Sequence, residues 1–282
     1  LLSMSMADLN TLGIIAGNGA YPIELAQSAR AQGVSRIVAV AFRKETRPDI
    51  ADFVDEVTWL PIGQLQAMLD AFSGSEIRQV VMAGQISPTH LFRVRPDKLM
   101  LELLAGLRER NAHTIFGAVG ERLAKIGIEL KPASLFMEAA MPESGVLTAR
   151  RPTEREETDI QIGIRVARAT SGLDIGQTVV IKEGTILAVE AFEGTDDTIK
   201  RAGRLGGAGS VAVKWSKPDH DIRFDIPVIG MKTLKRLKKA GVSALAVQAG
   251  RCILLERESV IDAADDQGLS IVAMKEEEQV DE

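Results

Sequence analysis

Three clusters in this 282-residue sequence combine residue types and spacings that could do chemistry. The most charged runs Lys214-Trp215-Ser216-Lys217-Pro218-Asp219-His220-Asp221-Ile222-Arg223-Phe224-Asp225-Ile226-Pro227. Cations placed as Lys214, Lys217 and Arg223 are could hold phosphate oxygens, while Asp221 or Asp225 binds Mg²⁺ or orients a water. If 221–225 is extended, Asp221, Arg223 and Asp225 share one face, because that face repeats every second residue. The competing reading is a polar loop whose charges pair with one another.

The second cluster gathers Glu190, Glu193, Asp196 and Asp197 around Gly194 and Thr195 at the end of an apolar run. Crowded carboxylates are unfavourable unless a metal or a cationic ligand compensates them, which makes Asp196 and Asp197 candidate metal ligands. Alternatively Thr195 caps a helix and the acids favour its first turn. The third cluster is Gly17-Asn18-Gly19, between an apolar run and a helical one. Glycines let backbone N–H groups approach an anion, and a helix N-terminus favours negative charge, so this turn could receive a phosphate or nucleotide. Pro22 stands where a dinucleotide fingerprint would place its third glycine, so a plain tight turn stays open as well.

Other active-site patterns are missing. His90, His113 and His220 show no paired metal spacing, no G-x-S-x-G nucleophile turn occurs, and Cys252 falls within an apolar run. The helical stretch 231–240 carries Lys232, Lys235, Arg236, Lys238 and Lys239 around Leu234 and Leu237. That face is either simply solvated or a patch that meets anionic lipid headgroups.

Composition narrows the function classes. With 34 Lys plus Arg against 39 Asp plus Glu, the net charge of -5 argues against a nucleic-acid partner, which calls for a basic excess. One cysteine excludes an intrachain disulfide and a Cys-cluster zinc site. No apolar run approaches the ~20 residues that span a bilayer, and no signal peptide is read at the N-terminus, so the expectation is a reduced, cytoplasmic protein.

These clusters need elements to position them. The run 11–16, the helix 23–32 with Gly33 after it, and the run 36–42 predict a βαβ unit. Strands at 54–60 and 80–83 and helices at 64–72, 98–110 and 114–126 continue the alternation, which implies a Rossmann-like parallel sheet. Residues 141–158 read as a linker by their prolines and charge, although a charged helix start near Thr153 fits too. Beyond it, a helix at 159–170, strands at 179–182 and 185–192 joined by Glu183-Gly184, and further strands at 210–215, 244–248 and 252–255 predict a mixed α/β domain. Helices are expected at 195–205, 231–240 and 259–267. The domain reading is therefore 8–140, linker 141–158 and 159–275.

Together these segments resemble the LpxI-type UDP-2,3-diacylglucosamine diphosphatases of lipid A biosynthesis over nearly the whole chain. The resemblance rests on LGIIAGNGAYP (12–22), DIGQTVVI (174–181), AVEAFEGTDD (188–197) and VKWSKPDHDIRFDIPVIG (213–230), with departures at Gln85 and His220. It implies an Mg²⁺-dependent hydrolase that splits the pyrophosphate of UDP-2,3-diacylglucosamine into UMP and 2,3-diacylglucosamine 1-phosphate, called lipid X. It also implies a substrate held between two domains with acyl chains in an apolar cleft, and transient work at the inner face of the inner membrane. Asp225 is the implied catalytic and metal-binding residue, with Asp221 as a further catalytic candidate. Gly17, Asn18, Gly19, Thr195, Lys214, Lys217 and Arg223 are the candidate substrate contacts, and Asp196 and Asp197 the further metal candidates. Oligomeric state stays open, a homodimer included. The main rival is a non-catalytic nucleotide-sugar or lipid binding module. A nicotinamide oxidoreductase fits less well, because Phe42-Arg43-Lys44 ends the second strand where an acid would bind a ribose diol.

Overall fold

The computed structural model describes residues 10–86, 95–109, 111–216, 221–224 and 226–275. Lys217, Asp225, His90 and His220 lie outside the described residues. The chain divides into two compact units, the first being Leu1–Met137 with Asp221–Asp225 and the second Glu138–His220 with Ile226–Glu282.

In the first unit, short β-branched runs form β1 (Thr11–Ala16), β2 (Arg36–Phe42), β3 (Glu56–Leu60), β4 (Gln79–Ala83) and β5 (Glu129–Leu130). All pair in parallel, in the order β3-β2-β1-β4-β5. Parallel strands covered on both faces read as continuous apolar runs, and β1 and β2 are buried almost end to end. The covering helices are α1 (Tyr21–Ala31), α2 (Leu65–Gly74), α3 (Lys98–Gly106) and α4 (Ala112–Lys125). On one face Ile15, Val38 and Val40 meet Leu65, Met68 and Phe72 of α2 and Leu123 of α4. α1 begins two residues before its expected start because Pro22, whose missing N–H costs nothing in a first turn, lies inside it. The helix expected at 98–110 stops at Gly106.

The second unit, which starts at Glu138, takes in the whole segment 141–158 that composition marks as a linker. There β6 (Gly145–Val146) pairs antiparallel with a strand from the far end of the chain, and α5 (Glu154–Gly172) starts at a capping box. The Thr153 hydroxyl accepts from the Glu156 N–H, and the Glu156 carboxylate accepts from the Thr153 N–H at 2.8 Å. Prolines and charges mark this stretch as irregular, but Arg150 ties it down. Its guanidinium bonds both Glu156 oxygens at 2.8 and 2.9 Å and also the Gly268 carbonyl at 2.7 Å.

The remaining elements are β7 (Thr178–Lys182), β8 (Thr185–Val189), α6 (Thr195–Gly206), β9 (Ser210–Lys214), β10 (Val228–Ile229), α7 (Met231–Ala240), β11 (Val242–Gln248), β12 (Ile253–Leu254), α8 (Arg257–Asp265) and β13 (Ser270–Met274). The main sheet is mixed, in the order β6-β13-β11-β9-β7-β8. Its alternating residues serve two cores, as a period of two requires. Val179, Ile181, Val211, Val213 and Trp215 pack with Ile160 and Ala167 of α5. Val180, Ala212, Leu245 and Val247 pack with Ile199 of α6, Leu234 and Leu237 of α7 and Val260 of α8. The β7–β8 hairpin turns at Glu183-Gly184, both with positive φ (53 and 75), as a two-residue turn of this twist demands. Asp159 of α5 accepts from both turn N–H groups at 2.8 and 2.7 Å, which joins helix to hairpin.

Candidate functional site

Open α/β sheets bind ligands beyond the carboxyl ends of the strands where the strand order reverses, here between β1 and β4. The Gly17-Asn18-Gly19 turn stands at that place, but it is not an open anion cradle. The Gly17 N–H donates to the Ala83 carbonyl and the Asn18 N–H to the Gln85 carbonyl, each at 2.7 Å. Gln85 returns a bond to the Asn18 carbonyl at 3.3 Å, so its position after β4 is read through its backbone. A Cβ on Gly17 would lie 2.7 Å from the Gly84 carbonyl oxygen, and one on Gly84 would lie 2.6 Å from the Asn18 oxygen. The glycines are there to let two backbones touch. Two of the three N–H groups proposed for a phosphate are therefore engaged within the chain, and only Gly19, at φ +98, keeps the open geometry expected of it.

What opens at this edge is an apolar cleft, whose walls include Ile15, Phe42, Met68, Met82, Phe116 and Phe224. Among the described residues those walls carry no cationic side chain for a nucleotide phosphate, and their side chains are almost all apolar, as a hydrocarbon chain requires.

Phe224 reaches the cleft from the segment 221–224, which is a tight turn and not the extended run that would align Asp221 with Arg223 on one face. The Phe224 N–H donates to the Asp221 carbonyl at 3.3 Å, and the Arg223 N–H to Asp221 Oδ1 at 3.1 Å. The Arg223 guanidinium grips the same carboxylate, Nε to Oδ1 at 2.9 Å and Nη2 to Oδ2 at 2.6 Å. This bonding holds the Asp221 carboxyl below the usual carboxylate range, so it is ionised at neutral pH. It also occupies much of the fork by which Arg223 was expected to clamp a phosphate. The Ala133 N–H fixes the turn through the Ile222 carbonyl at 2.7 Å. Phe224 itself lies 5.5 Å from His113 and 5.9 Å from Phe116, ring to ring, both residues of α4.

In the second unit, Lys214 ends β9 and is only 9% exposed. Its Nζ donates to the Thr195 hydroxyl at 2.9 Å and approaches the Thr178 hydroxyl at 3.5 Å. Thr195 in turn donates to Glu190 Oε1 at 2.8 Å, while Glu190 Oε2 is buried with no partner among the described residues. Thr195 is thus not a helix cap. Gly194 holds the N-cap position of α6, and the threonine hydroxyl faces the lysine network.

The crowded acids are compensated by cations of the same unit. Glu193 meets Arg201 at 2.5 Å; Asp196 meets Lys232 at 2.8 Å and Arg236 at 3.8 Å, both of α7; Asp197 is exposed. Among the described residues no group of three His, Cys, Asp or Glu side chains could hold a metal ion. Of the two carboxylates read as metal candidates, Asp196 is thus paired with cations of α7, while Asp197 is exposed.

Sequence reasoning missed the parts played by Glu190, Thr178, Gly84 and Phe224. Glu190 stood in the acidic cluster, and two more carried a signal. Gly84 follows β4 as Gly17 follows β1, and Phe224 is an aromatic amid charges in a chain with 8 Phe, 2 Trp and 1 Tyr.

One unit with a parallel β3-β2-β1-β4-β5 sheet, and another with a mixed sheet around a buried lysine network, define a two-unit α/β protein with a Rossmann-like first unit. Family models match both, the LpxI N-terminal domain over residues 11–140 and the LpxI C-terminal domain over 143–272. The UDP-2,3-diacylglucosamine pyrophosphatase LpxI of Caulobacter vibrioides (strain ATCC 19089 / CIP 103742 / CB 15) is 32% identical over 285 residues, covering 96% of this chain and 99% of that protein. The chain belongs to the LpxI family. Among solved structures, the biotin carboxylase domain of a thermophilic 2-oxoglutarate carboxylase aligns at a TM-score of 0.27 and 10% identity, over 70% of this chain and 33% of that one. The ADP complex of purK, N5-carboxyaminoimidazole ribonucleotide synthetase, aligns at 0.27 and 14%, over 72% and 45%.

Proposed function

We propose that this protein hydrolyses the pyrophosphate of UDP-2,3-diacylglucosamine, giving UMP and 2,3-diacylglucosamine 1-phosphate. Water adds across the P–O–P linkage, so one phosphate leaves with the uridine and the other with the sugar. The observation that carries this reading is the apolar cleft at the β1–β4 edge of a Rossmann-like sheet. Walls so nearly free of polar groups suit the acyl chains of a lipid-linked nucleotide sugar. In the second unit, the buried Lys214 ammonium, oriented by Thr195 and Glu190, is suited to neutralise phosphate charge. The Glu190 carboxylate fixes the Thr195 hydroxyl, which leaves Lys214 a defined direction. Asp225 is assigned the positioning of the attacking water, on the strength of the family motif.

Mg²⁺ dependence belongs to this proposal through the family resemblance alone. Asp196 is held by Lys232 and Arg236, and Asp221 by Arg223, so the described carboxylates offer no ready cation site. No step is therefore routed through an ion. The deciding assay incubates the purified chain with UDP-2,3-diacylglucosamine and follows UMP by chromatography, with Mg²⁺ and with EDTA. UMP release in Mg²⁺ and none in EDTA is expected. Binding without UMP in either arm would leave a nucleotide-sugar or lipid binding module, and equal release in both would remove the metal.

The proposed workplace is the cytoplasmic face of the inner membrane. No described helix is long and apolar enough to cross a membrane. Helix α7 buries Leu234 and Leu237 and exposes Lys235, Lys238 and Lys239, each worth about 1 kcal/mol against an anionic surface. Co-sedimentation with phosphatidylglycerol vesicles at low salt, lost at high salt and absent with neutral vesicles, is expected. Equal sedimentation with both vesicle types would reject the surface role.

A further inference from the structure

The cleft of the first unit and the turn that precedes Asp225 share one side chain. Phe224 is a wall of the cleft, and it is also the apolar side chain by which the turn 221–224 packs on α4, against His113 and Phe116. Of the rest of the turn, Ile222 is exposed, Asp221 is gripped by Arg223, whose guanidinium passes beside Gly120 of α4, and one backbone bond runs from Ala133 to Ile222. An occupant of the cleft therefore touches the anchor of the turn directly, and what seats Phe224 sets where the residues bonded to it stand.

We infer that Phe224 is a specificity-determining and positioning residue, through which an acyl chain in the cleft organises the turn bearing Asp221 and leading into Asp225. The inference rests on the function proposed above and adds to it how lipid-bearing and lipid-free substrates are told apart. Binding energy from a remote part of a substrate raises kcat when it is used to order the reacting groups, and truncated substrates then lose kcat and not only affinity. An empty cleft leaves Phe224 with α4 on one side and open space on the other. A hydrocarbon chain closes that space and fixes the ring.

The test compares kcat and KM for UDP-2,3-diacylglucosamine and for UDP-glucosamine, which lacks the chains, in the wild type, Phe224→Ala and Phe224→Leu. The wild type is expected to prefer the acylated substrate largely in kcat. In Phe224→Ala that kcat preference should fall at least about ten-fold, and Phe224→Leu, which still fills the wall, should recover part of it. A ring that only stabilises the fold would lower both substrates together and leave the ratio unchanged, which overturns the inference. So does a loss confined to KM, because the cleft then only binds. Should Phe224→Ala not fold, the Phe224→Leu ratio decides by the same criterion. A wild type that releases no UMP from the acylated substrate would instead defeat the underlying function, and the inference with it.

Discussion

Asp225→Ala is expected to cut UMP release from UDP-2,3-diacylglucosamine by about 10²–10⁴-fold, the range over which a positioned acid–base group acts, with folding and substrate binding retained. The size follows from the chemistry. A pyrophosphate offers charged oxygens that repel a nucleophile, so an unassisted water is a poor attacker and a carboxylate that orients it has much to contribute. The aspartate follows Phe224 in the sequence, and the Phe224 ring is seated against His113 and Phe116. Asp225→Asn should lose nearly as much, because shape is kept and charge is not. Steady-state kinetics, with calorimetric titration of substrate into the inactive variant and circular dichroism, check all three parts. Turnover within a few-fold of wild type would remove Asp225 from the mechanism. Loss of binding alongside turnover would make it a substrate contact.

The fold was largely legible, because strand runs buried on both faces leave a strong signal. Thr11–Ala16 and Arg36–Phe42 form strands with the expected bounds, and so does the helix Met231–Ala240. The short strands Glu129–Leu130 and Gly145–Val146 escaped, since two residues carry no periodicity and exist only because a neighbour offers a ladder. Residues 141–158 were legible in part, since the charged helix start near Thr153 is there, while the rest of their order was hidden for a related reason. Their order comes from Arg150 contacting Gly268 and Glu156 contacting Ser243, far away in sequence, which composition does not register.

The site was legible in its residue types but not in its pairings. Lys214, Thr195 and Glu190 all stood out, yet only the fold shows that the hydroxyl links acid to base. The opposite holds for Asp196, which looked unpaired until α7 supplied Lys232. At Gly17 the glycine signal was sound and its use was different. Close approach was needed, but to the backbone at Gly84 and not to an anion.

Glu156 carries the other large expected effect, this time on stability. Its carboxylate accepts from Arg150 at 2.8 and 2.9 Å, from the Ser243 hydroxyl at 2.6 Å and from the Thr153 N–H at 2.8 Å. It thereby joins the start of α5, β11 and the segment before the helix. Burial alone would push its pKa up; Arg150, Ser243 and Thr153 overcome that and hold it at about 2, against an ordinary 4.5. A carboxyl whose pKa is depressed by folding stabilises the protein fully above its unfolded value, and that stability drains away as pH falls through the folded value. The window here runs from about 4.5 down to about 2. At roughly 1.4 kcal/mol per pH unit, such a shift corresponds to about 3 kcal/mol at neutral pH. Glu156→Ala also removes the ionic partner of Arg150, which stays partly exposed and keeps its bond to the Gly268 carbonyl, so a loss of about 3 kcal/mol is expected. Trp215, buried against α5, reports this unit by fluorescence once Trp59, the other of the 2 tryptophans, is replaced by Phe. Urea titration followed at Trp215 should show the variant far weaker at pH 7, with the gap narrowing toward pH 3 as Glu156 of the unfolded wild type binds the proton that the folded state still excludes. A gap independent of pH would mean that the carboxylate acts through packing, and its charge would then hold nothing in place.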